Sequence, residues 1–144
     1  MEKKDPEPPR TIMDMLRLRA RHTPNALAYS IEGESITYGR LLDEVLLTAS
    51  SLMELGIKKG DRCALILPTC LDFIRLLYGI QYLGAVPAAV NPGLSPELIL
   101  GRMQAIGCSL AVASGAALEG LEKASIKGFT TPPVRSPEEL RASS

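Results

Sequence analysis

The stretch GIKKGDRCALILPTCLDF, residues 56–73, decides the fold. It places a glycine- and lysine-rich segment ahead of an apolar run of strand length, then a turn signal at Pro68-Thr69 before the apolar pattern resumes. Just upstream, Leu42, Val45, Leu46, Ala49, Leu52 and Met53 recur at helical spacing over residues 39–55, and Gly56 suits the left-handed position that ends a helix. RCALIL, residues 62–67, is nearly continuous in apolar character, as expected of a strand buried on both faces of a parallel sheet. From 70 to 83 the apolar positions surround almost the whole helix circumference, so this helix is expected to be well buried. The order of these elements bears on chemistry. A phosphate-binding glycine loop follows a strand and opens a helix, so that free N–H groups and the helix dipole converge on the anion. Residues 56–61 follow a helix and precede a strand, and they lack the G-x-x-x-x-G-K-[ST] spacing. They read as a connector in which Gly56 caps, Lys58 and Lys59 favour the negative helix end, and Gly60-Asp61 turns into the strand.

Working toward the N-terminus, Thr37 caps the 39–55 helix, and ALAYSIEGESITY, residues 26–38, reads as a β-hairpin. Leu27, Tyr29 and Ile31 alternate with small or polar residues, Glu32-Gly33-Glu34 turns the chain, and Ile36 and Tyr38 resume the alternation. Before it, Thr11 and Asp14 form a weak capping box for a first helix that ends at Thr23-Pro24. Toward the C-terminus the unit repeats. AVPAAV, residues 85–90, reads as a second strand, although Pro87 cannot donate to a ladder and prefers strand starts or edges. A helix follows, with Ser95 as N-cap, Pro96 in its first position and Glu97 at the positive dipole end, and Gly107 closes it. SLAVAS, residues 109–114, is a third strand leading through Gly115 into a short helix to about Lys123, and IKGF, residues 126–129, is a candidate further strand. Ser136-Pro137-Glu138 then repeats the helix-start grammar, but the helix it opens is too short to form without packing.

Alternating strands and helices imply right-handed βαβ units. The expected fold class is α/β, a partial layered parallel sheet with flanking helices and an N-terminal β-hairpin. The expected organisation is a disordered leader over 1–10, one domain over 11–130 and a flexible tail over 131–144.

Sixteen Lys and Arg balance sixteen Asp and Glu in the 144 residues, so total charge gives no reason to expect nucleic acid as a partner. The arginines at 17, 19 and 21 form a basic cluster but lack aromatic interleaving, and a solvated face is expected. Apolar runs fall far short of the ~18 residues of a spanning helix, so no membrane span is expected. MEKKDPEPPR has no apolar region after it of the kind a secretory signal needs, and a cytoplasmic location is the default. Cys63, Cys70 and Cys108 are odd in number, lack C-x-x-C spacing and sit in apolar surroundings, so they are expected as reduced thiols that act as small hydrophobes. His22, the one histidine, sits near a helix C-terminus beside those arginines and is expected on the surface.

Ligands of open α/β sheets gather at the carboxyl ends of the strands. This singles out Thr69, after the first strand, and Asn91, after the second, as candidate substrate-binding residues, with Ser95 offered in the same way. Helix capping explains Thr69 as well as ligand contact does. No carboxylate pair, metal-ligand cluster, G-x-G-x-x-G or G-x-S-x-G appears, so no catalytic, cofactor-binding or metal residue is assigned.

The order of these signals resembles the opening of the AMP-forming adenylate-forming enzymes: acyl-CoA synthetases, nonribosomal peptide adenylation domains and luciferases. The resemblance is carried by Thr37-Tyr38, Leu55-Gly56, Gly60-Asp61, Pro68 and Gly84-Ala85, in this order across residues 11 to about 115. The run LDFIRLLYGIQYLGAV, residues 71–86, looks most like fatty acyl-AMP and long-chain acyl ligases. The resemblance implies a ligase that activates a carboxylate with ATP to an acyl-adenylate, with ATP and Mg as cofactors of the full-length enzyme and none bound by this chain alone. The family holds phosphates with a Ser/Thr/Gly-rich loop ending in Pro-Lys-Gly. Here Lys127-Gly128 is preceded by Ser125-Ile126, so no catalytic residue carries across. The leading expectation is an N-terminal fragment, inactive alone, whose partner is the remainder of the enzyme or a complementary fragment. The alternatives are a freestanding degenerate α/β module that binds a partner protein, and a small nucleotide-binding α/β protein.

Overall fold

Period-two alternation inside continuous apolar runs builds the centre of the molecule. The computed structural model describes residues 10–141; the expected leader, apart from Arg10, and residues 142–144 lie outside them. The elements run α1 (Ile12–His22), β1 (Leu27–Ile31), β2 (Glu34–Thr37), α2 (Tyr38–Glu54), β3 (Arg62–Ile66), α3 (Leu71–Tyr82), β4 (Val86–Ala89), α4 (Pro96–Ile106), β5 (Leu110–Ala113), α5 (Gly115–Lys123), β6 (Val134–Arg135) and α6 (Pro137–Arg141). β1 and β2 pair antiparallel around Glu32 and Gly33, both at positive φ (50° and 81°), the signature of a tight hairpin turn. The other strands form one parallel sheet in the order β4-β3-β5-β6.

The sheet is covered on both faces. Cys63, Leu65 and Leu67 join Leu110 and Val112 on one face, against Leu52 of α2, Leu76 and Ile80 of α3, and Leu140 of α6. Ala64, Ile66, Ala111 and Ala113 meet Ile99, Leu100 and Met103 of α4 and Ala117 and Leu121 of α5 on the other. A third cluster, with Met13, Leu16, Ile36, Leu41, Val45 and Tyr78, ties α1 and the hairpin to α2 and α3. The expected α/β class, hairpin and layered parallel sheet are all present.

The opening stretch folds as a connector. α2 ends in a Schellman motif: Gly56 N–H donates to the Met53 carbonyl at 2.9 Å, Ile57 N–H to Leu52 at 3.1 Å, and Gly56 takes φ +87°. Ile57 is buried against Leu52, the hydrophobic contact that accompanies this motif. The end of α3 repeats it through Gly84 N–H to Gln81 at 3.0 Å and Ala85 N–H to Ile80 at 3.1 Å. Asp61 fixes the turn by accepting from Lys58 N–H at 2.9 Å, and Gly60 N–H donates to the Gly84 carbonyl at 3.0 Å, tying the two connectors together. The glycines thus lie at the amino edge of the sheet, occupied with backbone partners.

Pro87 stands where the ladder does not need its missing N–H. Val86 and Val90 donate toward β3, to the carbonyls of Asp61 and Leu65, and Pro87 lies opposite Cys63 in the register. Period two therefore turns the Pro87 nitrogen outward, on the edge strand of the sheet.

Two local readings change. IKGF is a turn: Phe129 N–H donates to the Ile126 carbonyl at 3.4 Å and Gly128 takes φ +80°, while Ile126 and Phe129 pack on the core cluster from outside the sheet. Residues 131–141, expected as a flexible tail, instead carry β6 and α6. Leu140 is buried in the core, and Ser51 Oγ donates to its carbonyl, which supplies the packing so short a helix requires.

Candidate functional site

Successive crossovers fix where an open cleft can form. β3 leads through α3 to β4 on one side, and β4 leads through α4 to β5 on the other side of β3. The direction reverses between β3 and β5, so the topological switch point falls between their carboxyl ends. The loops that meet there are Pro68-Thr69-Cys70 and Ser114-Gly115.

Thr69 is exposed and precedes the cap of α3. The cap position belongs to Cys70, with extended φ −151° and ψ 175°, and its side chain makes no cap hydrogen bond. The capping explanation for Thr69 therefore does not apply, and the first-turn N–H groups of α3 have no side-chain cap. Ser114 is likewise the N-cap of α5 without a side-chain cap bond. Sequence reading missed Ser114, because its relevance comes from β5 lying beside β3, and strand order is not written in local pattern.

Asn91 and Ser95 are committed to their own loop. Asn91 Oδ1 accepts from Gly93 N–H at 2.8 Å, and Ser95 Oγ accepts from Leu98 N–H at 3.3 Å as the α4 N-cap. The amide NH2 of Asn91 and the O–H of Ser95 are left as donors to meet a ligand. The loop lies at the carboxyl end of β4, next to that of β3 and outside the switch point.

Charge near the α3 N-terminus is internally matched. Asp72, in its first turn, pairs with Arg75 at 3.0 Å and Arg141 at 3.6 Å, and Arg75 also meets Glu44 at 2.6 Å. Burial disfavours the Arg75 cation, but Glu44 and Asp72 more than offset this and hold its pKa above the ordinary value. The loops at 67–71, 90–95 and 113–116 contain no lysine or arginine. No group of three or more His, Cys, Asp or Glu able to hold a metal occurs among the described residues. These residues do not fit an ATP triphosphate or its magnesium. The edge offers hydroxyls, an amide and the first-turn N–H groups of α3 and α5, uncharged donors that suit a polar group of small charge. His22 is exposed at the end of α1.

An open α/β sheet covered on both faces, with a switch point between β3 and β5, defines a layered α/β domain of the kind that places ligands at its carboxyl edge. Residues 16–141 match the AMP-binding enzyme family, and the chain belongs to it. It is 31% identical over 93 residues to the 2-succinylbenzoate–CoA ligase of Bacillus thuringiensis subsp. konkukian (strain 97-27), a match covering 65% of this chain and 19% of that protein. The crystal structure of the N-terminal domain of FACL13 from Mycobacterium tuberculosis superposes with a TM-score of 0.78 at 27% identity, over 90% of this chain and 36% of that one. Mycobacterium tuberculosis fatty acyl CoA synthetase gives 0.77 at 28% identity, over 89% and 27%. The chain spans about a fifth of the length of the curated relatives it matches. It corresponds to the N-terminal portion of adenylate-forming ligases. No helix among the described residues is long and apolar enough to cross a membrane.

Proposed function

We propose that this chain is the opening portion of a cytoplasmic AMP-forming ligase that activates a carboxylate, a fatty acid, with ATP and Mg to an acyl-adenylate, and that it is catalytically inactive alone. The observation that carries the reading is the family match over residues 16–141 together with carboxyl-edge loops that hold no cation. Attack of a carboxylate on the α-phosphate builds negative charge that positioned cations and backbone donors must meet. In the complete enzyme those groups come from the partner, the remainder of the ligase or a complementary fragment. Thr69, with Asn91 beside it, contributes to the substrate side of the crevice. The fatty-acid choice draws support from the solved fatty acyl CoA synthetase neighbour; the curated relatives act on 2-succinylbenzoate, an aromatic acid.

Two assays test this. ATP–pyrophosphate exchange by the isolated chain is expected to be absent with fatty acids and with 2-succinylbenzoate, and turnover with either overturns the inactivity. A chimera carrying residues 16–141 in place of the matching part of the mycobacterial fatty acyl CoA synthetase is expected to keep fatty-acid-dependent exchange. A folded chimera that binds ATP but does not exchange overturns the ligase reading.

A further inference from the structure

A cleft of about 260 Å³ opens between α1, the hairpin and α3, lined by Met15, Leu16, Arg19, Tyr29, Tyr38 and Tyr78, with Ala28 at its wall. It shares no residue with the carboxyl-edge loops. Its floor is a tyrosine pair, Tyr29 and Tyr78, with hydroxyls 3.0 Å apart and rings edge to face at 6.4 Å and 70°. One phenol donates to the other, which occupies one of the two protons. The accepting phenol's own O–H has no partner among the described residues, so the pair presents a spare donor in a part-buried position. Burial and the bond to Tyr29 push the Tyr78 phenol well above the ordinary tyrosine value, which keeps it a donor at any physiological pH.

The cleft also holds a spare cation. Arg17, on the same helix, lies over the Tyr82 ring at 5.3 Å. Arg19 has no carboxylate or ring partner among the described residues, is exposed, and lines this cleft. A cation, a spare phenol donor and walls of Met15, Leu16 and aromatic rings are complementary to an anion with a flat apolar body. The volume falls below the roughly 300–1,000 Å³ of pockets for drug-sized ligands, which limits the occupant to one ring.

We propose that this cleft is a binding site for a small aromatic monocarboxylate, its carboxylate held by Arg19 and the Tyr29–Tyr78 pair and its ring laid on Met15, Leu16 and Tyr38. The site is independent of the ligase reading above. It would act as an accessory or sensing site on the far side of α3.

Benzoate is the probe, titrated into the full chain and followed by amide NMR. Saturable shifts are expected at Met15, Arg19, Ala28 and Tyr29, with a Kd of about 1 mM, ordinary for a single-ring ligand. Benzyl alcohol, the same ring without charge, is expected to bind about tenfold more weakly, because charge-assisted hydrogen bonds carry the recognition. Arg19→Gln should lose about tenfold in benzoate affinity and Tyr78→Phe severalfold, while Arg21→Gln, off the cleft on the same helix, stays within about twofold. Arg19 is exposed, so its variant folds even if Tyr78→Phe does not. No saturable shift at about 10 mM benzoate, equal binding of benzyl alcohol, or unchanged affinity in Arg19→Gln overturns the proposal.

Discussion

Gly84 shows how much of this fold depends on single backbone positions. It takes φ +75°, and a Cβ there would also meet Lys59 Cγ at 3.1 Å, whereas Gly56, at φ +87°, faces open space. Alanine at Gly56 therefore carries only the left-handed penalty, and urea denaturation is expected to show a loss of about 1 kcal/mol. Alanine at Gly84 adds the displacement of Lys59 and should lose more; equal losses would remove the steric part of this account. Cys63 supplies a residue-scale pH dependence. Burial, then Asp61 and Cys108, push its thiol from 9.0 up to about 12. A raised pKa means the folded state holds the proton that the unfolded chain releases, so this stabilisation is complete below about pH 9 and is lost as pH rises toward 12. By pH 10 the loss is about 1.4 kcal/mol. Tyr78, also raised, acts with the same sign from a higher starting pH. Stability measured at pH 8 and 10 should fall less in Cys63→Ala than in the parent chain, and an equal fall would show that Cys63 does not titrate as described.

At the scale of elements, α6 separates what a sequence states from what it leaves out. Ser136-Pro137-Glu138 announces a helix start, yet its partner α2 lies far away in the chain: Ser51 and Leu140, joined by a hydrogen bond, are 89 positions apart. Local grammar gave the start, and only tertiary packing makes the helix stable. IKGF misleads in the opposite direction. Ile126 and Phe129 are spaced like core contacts and do pack on the core, but Lys127-Gly128 turns the chain between them. The site divides in the same way. Thr69 was legible as a strand-to-helix turn, whereas Ser114 became relevant only once β5 was found beside β3. Asn91 read as a ligand donor, and its side-chain oxygen is spent on Gly93. If α6 is anchored as described, Leu140→Ala, at a position 3% exposed, costs about 2–3 kcal/mol in chemical denaturation and speeds amide exchange in α6. A loss below about 0.5 kcal/mol, the scale of a surface change, would return this segment to a flexible tail.

For the whole molecule the sheet edges matter most, because a parallel sheet ending in solvent offers a template for another strand. β6 closes one edge with only two residues, and Arg135 is one of them. β4 is the other edge, four residues long, with Val86 49% exposed. Residues 86, 88 and 90 direct their N–H groups toward β3, so the outward side has positions 87 and 89, and Pro87 removes one of those two donors. An incoming strand thus meets half the donors that an ordinary edge would offer. Pro87→Val restores the second donor without touching the β3–β4 ladder and adds a residue that favours strands. It is expected to leave the denaturation midpoint nearly unchanged while converting the chain to concentration-dependent dimers in sedimentation velocity. A variant that sediments like the parent at every concentration would mean that proline does not guard this edge, and that strand twist keeps other strands away.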